Sequence, residues 1–198
     1  VRLFVGIVPP PEAISHAAGA VDRIASTTPD MRWVPSERWH LTLAFLGEVE
    51  PDLVPDLVTR LDQVAAAQTP LEAVRLAGSG TFPGVLWLGI GDVATELRAQ
   101  SAAGRHYSPE VQLGGVAKAI QAEMRAAGIH VERRPWRAHL TIARWRPSAE
   151  RDAAAQRVAD NLADYAGPAF DVHEFHLVHS VTGPAPRHTG IHIARQGG

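Results

Sequence analysis

The chain has 198 residues, enough for one large domain or two small intimate lobes around a real core. Hydrophobic residues make up 45% and charged residues 20%, the balance of a soluble globular protein. A net charge of −2 excludes a surface that attracts nucleic acid over its whole area, and the absence of cysteine excludes disulfides, thiolate metal sites and cysteine nucleophiles.

Leu3, Val5 and Ile7 alternate with other residues and stop at Pro9-Pro10-Pro11, which predicts a first strand. Glu12 to Ser26 is Ala-rich and reads as a helix. Trp39 to Leu46 is an apolar strand closed by Gly47. Leu53, Leu57, Leu61 and Val64 recur at helical spacing and predict a second helix over about 52–67. Leu71 to Leu76 and Val85 to Ile90 read as strands separated by a turn over Gly78 to Gly84. Gly91 to Gly115 is polar and reads mostly as a mobile connection, with part of it helical. Val116, Ile120 and Met124 mark a third helix ending at Gly128. Arg137 to Trp145 is a strand, and Ser148 is placed to cap a fourth helix with Ala155, Val158 and Leu162 on its apolar stripe. Phe175 to Val181 and Gly190 to Ala194 close the chain as strands.

Each half thus reads strand, helix, strand, helix, strand pair, more loosely in the second half. The expected fold is α+β: two pseudo-symmetric lobes, about 1–90 and 91–198, with antiparallel sheets around a central cleft and helices outside. No linker separates them, so 1–198 reads as one unit. No apolar run approaches the ~20 residues of a membrane span. The run from Leu3 to Val8 is too short for a secretory leader, and the expected location is the cytoplasm.

The strongest local signal is a repeat. Arg38-Trp39-His40-Leu41-Thr42-Leu43-Ala44 and Arg137-Ala138-His139-Leu140-Thr141-Ile142-Ala143 share five identities in seven, with the histidines 99 positions apart. On strands, Arg, His, Thr and Ala share one face, while Leu41, Leu43, Leu140 and Ile142 face the core. If the halves pack about a pseudo-twofold axis, two imidazoles and two hydroxyls surround one small volume. That volume suits a phosphodiester. Opening a cyclic phosphate needs a base for water and an acid for the departing ribose oxygen, and a histidine of pKa near ~6.5 serves as either. Threonine hydroxyls can hold the non-bridging oxygens. The candidate catalytic pair is therefore His40 and His139, with Thr42 and Thr141 as phosphate contacts. No metal or cofactor is required.

These residues resemble the two-histidine (2H) phosphoesterase superfamily, and more narrowly the bacterial RNA 2′,3′-cyclic phosphodiesterases, the LigT-like or 2′-5′ RNA ligase family. The likeness includes Arg2-Leu3-Phe4-Val5, Arg32-Trp33-Val34, His40-Leu41-Thr42-Leu43 with Phe45-Leu46-Gly47, Val85-Leu86-Trp87-Leu88-Gly89, and Arg137 with His139 through Arg144. It implies a two-lobed α+β fold and hydrolysis of RNA or nucleoside 2′,3′-cyclic phosphates to 2′-phosphates, with 2′-5′ joining in some members. It also implies that His40 gives a proton to the leaving 3′ oxygen and that His139 activates water. A monomer with no obligate protein partner is expected. Four departures stand out: Ala44 where the family often has Lys, Ala138 where it often has Pro, a longer connection over 91–115, and His188 and His192 in a region that commonly carries Tyr.

Arg38 and Arg137 share the histidines' parity and are candidate anion contacts, against the alternative of solvated surface arginines. Arg144 has the opposite parity, and ion pair and substrate contact stay open for it. Arg133 and Arg134 read as a solvated basic patch. Trp39, Trp136 and Phe45 are expected to pack in the core rather than stack on bases. His173, His176 and His179 alternate faces on a strand, which argues against a shared metal. His188 is placed to reach the cleft from the last loop. The competing functional class is a module that holds RNA ends or nucleotides without chemistry; paired histidines favour the enzyme, since anion binding alone needs no acid and base.

Overall fold

The computed structural model describes residues 1–26, 28, 31–92, 108–133, 135–183 and 186–197. Among them nine strands form one curled antiparallel sheet: β1 (Arg2–Ile7), β2 (Arg32–Trp33), β3 (Leu41–Glu48), β4 (Leu71–Phe82), β5 (Val85–Asp92), β6 (Leu140–Arg144), β7 (Phe170–Val172), β8 (Glu174–Val181) and β9 (Arg187–Arg195). Four α-helices accompany them among the described residues: α1 (Pro11–Ala25), α2 (Val54–Ala66), α3 (Pro109–Ala126) and α4 (Ala149–Asn161). No helix among the described residues is long and apolar enough to cross a membrane.

The helices form where the sequence supplies both a cap and a stripe. Pro11 sits in the first turn of α1, where its missing N–H costs nothing, and Ala13, Ala17, Ala20 and Val21 are its buried face. Ser108 and Ser148 cap α3 and α4 by accepting from the backbone N–H of Val111 and Arg151. α3 begins at Pro109, so the expected connection over 91–115 is helical from there, and residues 93–107 lie outside the described residues. The expected turn over Gly78 to Gly84 shrinks to Pro83-Gly84, because β4 continues to Phe82. The glycines there serve packing: the Trp87 ring lies over Gly80, where a Cβ would collide with it.

Strand order is β7-β4-β5-β6-β3-β1-β8-β9, with β2 also paired to β6. The two motif strands meet at the centre through one register pair, Leu41 with Leu140. Each then leads into a further run of strands, which gives the sheet its pseudo-symmetry. The runs are not the sequence halves. β4 and β5 join β6 and β7, whereas β8 and β9 join β1 and β3. A division near residue 90 therefore does not describe the two ends of the sheet; each end interleaves both halves of the chain. Leu3, Val5, Leu41, Leu43, Leu86, Leu88, Leu140 and Ile142 supply the helix-facing layer, all at most 1% exposed.

Candidate active site

Local geometry first decides which side chains reach the cleft. In the pairing of β1 with β3, Val5 faces Ala44 and Gly6 faces Thr42, so Leu43 is an extra residue on β3. In the pairing of β5 with β6, Leu86 faces Ala143 and Trp87 faces Thr141, so Ile142 is an extra residue on β6. Both bulges fall three residues after the motif histidine. A bulge shifts the alternation of faces by one. Ala44 and Ala143, expected on the cleft face, are therefore buried in the core at 2% and 0% exposure. Phe45 and Arg144, five residues after each histidine, take the cleft positions instead. Phe45 is not a core residue: it is 46% exposed, and the Arg2 guanidinium lies 4.8 Å from its ring centroid.

Backbone carbonyls at and beside the bulged residues accept from donors outside the β1–β3 and β5–β6 pairings. Trp136 Nε1 donates to Thr42 O at 2.9 Å, Gln121 Nε2 donates to Leu43 O at 2.9 Å, and the backbone N–H of Val34 donates to Ile142 O at 2.9 Å. Trp39 is core, as expected, with its Nε1 donating to Val34 O at 2.8 Å.

His40 and His139 line one cleft of about 480 Å³, together with Thr42, Thr141, Arg38 and Arg144. The imidazoles are held alike. His40 Nδ1 lies 2.7 Å from Arg38 O, and His139 Nδ1 lies 2.9 Å from Arg137 O. A carbonyl only accepts, so Nδ1 carries the hydrogen in both rings, and Nε2 is left as the nitrogen that exchanges protons. Aromatic contacts fix the ring planes. Phe4 stacks on His40 with centroids 4.3 Å apart, and Phe82 meets His139 edge-on at 5.2 Å.

The two histidines differ in setting. Burial pushes the His40 pKa down to about 4; its hydrogen bond to Arg38 O acts the other way, and the charges of His188, Arg38 and His139 add to the lowering. His188 stands 5.0 Å from His40 between ring centroids, T-shaped, and is itself lowered by burial and by Arg38.

Arg38 lies at the end of a short 3₁₀ turn, Ser36–Arg38, that aims it into the cleft. Arg137 does not line the cleft. It is exposed, and its part in the site is its carbonyl. Arg144, left open by its parity, does line the cleft, since the bulge reverses that parity. Arg2, Phe4 and Arg32 join it, residues quoted above only for their likeness. The signal for Arg2 and Phe4 was their alternation with Leu3 and Val5. Arg134 lies outside the described residues. His173 and His176 pair with separate carboxylates, Asp171 at 3.7 Å and Glu174 at 3.1 Å, and His192 meets Asp62 at 2.7 Å.

A curled antiparallel sheet that brings two His-x-Thr strands together along one groove is the architecture of a two-histidine phosphoesterase. The chain belongs to the 2′-5′ RNA ligase superfamily, whose family model matches residues 9–184. It is 31% identical over 189 residues to an RNA 2′,3′-cyclic phosphodiesterase of Thermus thermophilus, covering 92% of this chain and 83% of that protein. It is also 31% identical over 138 residues to one of Geobacillus stearothermophilus, covering 67% of this chain but only 37% of that longer relative. Two solved structures share the fold. One is a Thermus thermophilus protein, at TM-score 0.71 and 23% identity, covering 100% of this chain and 99% of that one. The other is Escherichia coli LigT complexed with 3′-AMP, at TM-score 0.68 and 22% identity, covering 98% and 97%.

Proposed function

We propose that this protein hydrolyses the 2′,3′-cyclic phosphate end of an RNA, or of a nucleoside 2′,3′-cyclic phosphate, to a 2′-phosphate. His40 and His139 act as the acid–base pair, without a metal. The observation that supports this most directly is the matched pair of Nδ1–H···O=C bonds, which leaves the Nε2 of both rings to serve one cleft. Water attacks phosphorus in line with the breaking P–O3′ bond. One Nε2 takes the proton of that water, and the other gives a proton to O3′. Thr42 and Thr141 donate to the non-bridging oxygens, and Arg38 supplies a cation for the charge that grows there. Family resemblance makes His40 the donor. His40 is neutral in the empty cleft at pH 7, so the proton it gives to O3′ is taken up from solvent as the anionic substrate binds and raises its pKa. The activity named for the relatives supports the substrate class. The same reading takes the protein as a cytoplasmic monomer, with its cleft built from a single chain, and makes 2′-5′ joining the same displacement with a ribose 5′-hydroxyl in place of water, breaking the same P–O3′ bond.

The test is incubation with 2′,3′-cyclic AMP and with a cyclic-phosphate dinucleotide, identifying the isomer of the product. A 2′-phosphate, formed equally well in EDTA, is the expected result. Binding without turnover sinks the reading in favour of a non-catalytic module, and loss of activity in EDTA removes its metal-independence.

A further inference from the structure

The cleft contains a third imidazole. His188, on β9 opposite Ser180 of β8, lines it together with His40 and His139. Among the described residues its ring makes no hydrogen bond and no ion pair, in contrast to His40 and His139, whose Nδ1–H groups donate to carbonyls. Ring contacts hold it instead. Its centroid lies 5.0 Å from that of His40 and 5.1 Å from that of Phe4, and those two rings are stacked 4.3 Å apart. Three centroids at such spacings form a nearly equilateral triangle. His188 therefore stands beside the stack rather than on top of it, inclined at 76° to His40 and 71° to Phe4. Both of its nitrogens are left uncommitted next to His40.

The surroundings suit a ring that carries a proton. No carboxylate lines the cleft among the described residues; the charged side chains there are Arg2, Arg32, Arg38 and Arg144. A carboxylate beside His40 would hold its proton but would also oppose an anionic substrate. A neutral imidazole does not oppose the anion, and it can still accept and give a proton. Burial and the charge of Arg38 lower His188, as both lower His40. An anionic phosphate in the cleft acts the other way and favours proton uptake. β9 is the last strand of the sheet, and Arg187 and Thr189 on either side of His188 are exposed, so solvent reaches this ring from its outer side. The pseudo-symmetry breaks here. His139 meets Phe82 edge-on at 5.2 Å and has no ring contact with another imidazole among the described residues. As base, His139 gains its proton from the attacking water. As acid, His40 must gain one before each turnover.

We propose that His188 is a positioning residue that loads His40 with its proton: it takes up a proton from solvent when the anion binds and passes it to His40 Nε2, directly or through one water. The proposal rests on the cyclic-phosphate reading, with His40 as the acid. The protons balance. His188 gains one from solvent and gives it to His40, His40 gives it to O3′, and His139 returns to solvent the proton it took from water. Two rings this close oppose a second proton, so the pair carries one at a time.

Two measurements test this. The first is nuclear magnetic resonance titration of the histidine Cε1–H signals, which is independent of turnover. In the parent protein the His40 and His188 signals follow the same two steps. In H188F, which keeps the ring contacts and removes both nitrogens, His40 titrates in one step and at higher pH. Independent titration of the two rings, or an unmoved His40 in H188F, overturns the proposal. The second measurement is hydrolysis of adenosine 2′,3′-cyclic phosphate. H188F lowers kcat by about tenfold to a hundredfold, the low end of what a proton-transfer group contributes, and changes KM by about threefold or less. H188A loses a similar factor. Imidazole in solution restores its kcat in proportion to concentration, whereas pyrazole, a ring of the same size that is scarcely basic, does not. Parent-like kcat in H188F, or equal rescue by imidazole and pyrazole, overturns proton loading and leaves the reaction standing. No turnover by the parent protein overturns the reaction, and the loading step with it, even where the two rings titrate together.

Discussion

His40 and His139 each have one ring nitrogen committed to a carbonyl two residues upstream, so a single protonation step at Nε2 separates the base form from the acid form. Replacement of His40 or His139 by Ala removes one of two proton-transfer partners, and kcat/KM is expected to fall by about 10²- to 10⁴-fold in each case. The far-ultraviolet circular dichroism spectrum should persist, because both rings stand at the cleft rather than in the core. The pH dependence belongs to the same scale. A mechanism with one neutral and one protonated histidine loses activity when both are protonated, whichever ring is the acid. With His40 lowered to about 4, the acid limb of kcat/KM lies near that value rather than near ~6.5. Replacing His188 by Gln removes a nearby titratable group that lowers His40, so the limb moves upward. A limb that stays near ~6.5 in the parent protein contradicts this account of His40.

At the scale of the element, the two bulges do what the repeated motif alone does not. They turn a strand that would alternate indefinitely into one that shows His and Thr, skips a residue, and then shows Phe45 or Arg144. Beside the first bulge, Trp136 and Gln121, from the second half of the chain, donate to the carbonyls of Thr42 and Leu43. Trp136→Phe keeps the ring and deletes the N–H. It is expected to cost about 1–3 kcal/mol in chemical denaturation, the penalty of an unpaired buried acceptor. The same change should lower kcat more than it raises KM, because Thr42 shifts with its carbonyl. An unchanged denaturation midpoint together with wild-type kcat would show that the bulge holds without this bond.

Across the whole molecule, the groove exists because the sheet interleaves the chain: β4 and β5 extend from the second motif strand, β8 and β9 from the first side through β1. Neither half of the sequence holds a complete run of strands, so the site forms only when the full sheet does. Global stability is therefore coupled to the charge state of the cleft. His40 binds a proton in the unfolded chain near its ordinary value of 6.5 but in the folded chain only near 4. Its contribution to stability is fully present above the unfolded value and is lost as pH falls through that window, levelling off below about 4. The loss is on the order of 3 kcal/mol. Urea titrations between those pH values should show it, and His40→Asn should flatten the slope. A slope unchanged in that variant assigns the loss to other groups.

Much of this was legible in one dimension. Composition excluded thiol chemistry, the 3.6- and 2-residue periods located the helices and most strands, and the repeat singled out His40, Thr42, His139 and Thr141, all four of which line the cleft. Those features depend on near neighbours in the chain, where periodicity and capping act. Tertiary structure alone decided the rest. A bulge is a mismatch between two strands and leaves no mark in either sequence, so the parity of Ala44, Phe45, Ala143 and Arg144 was beyond reach of alternation. Arg137 is exposed and serves the site through its carbonyl, while Arg32 entered the cleft because a distant pairing to β6 placed it there. The short β7 and the interleaved strand order likewise depend on which edge is free to pair once the core has closed, a property of the assembled sheet rather than of any segment.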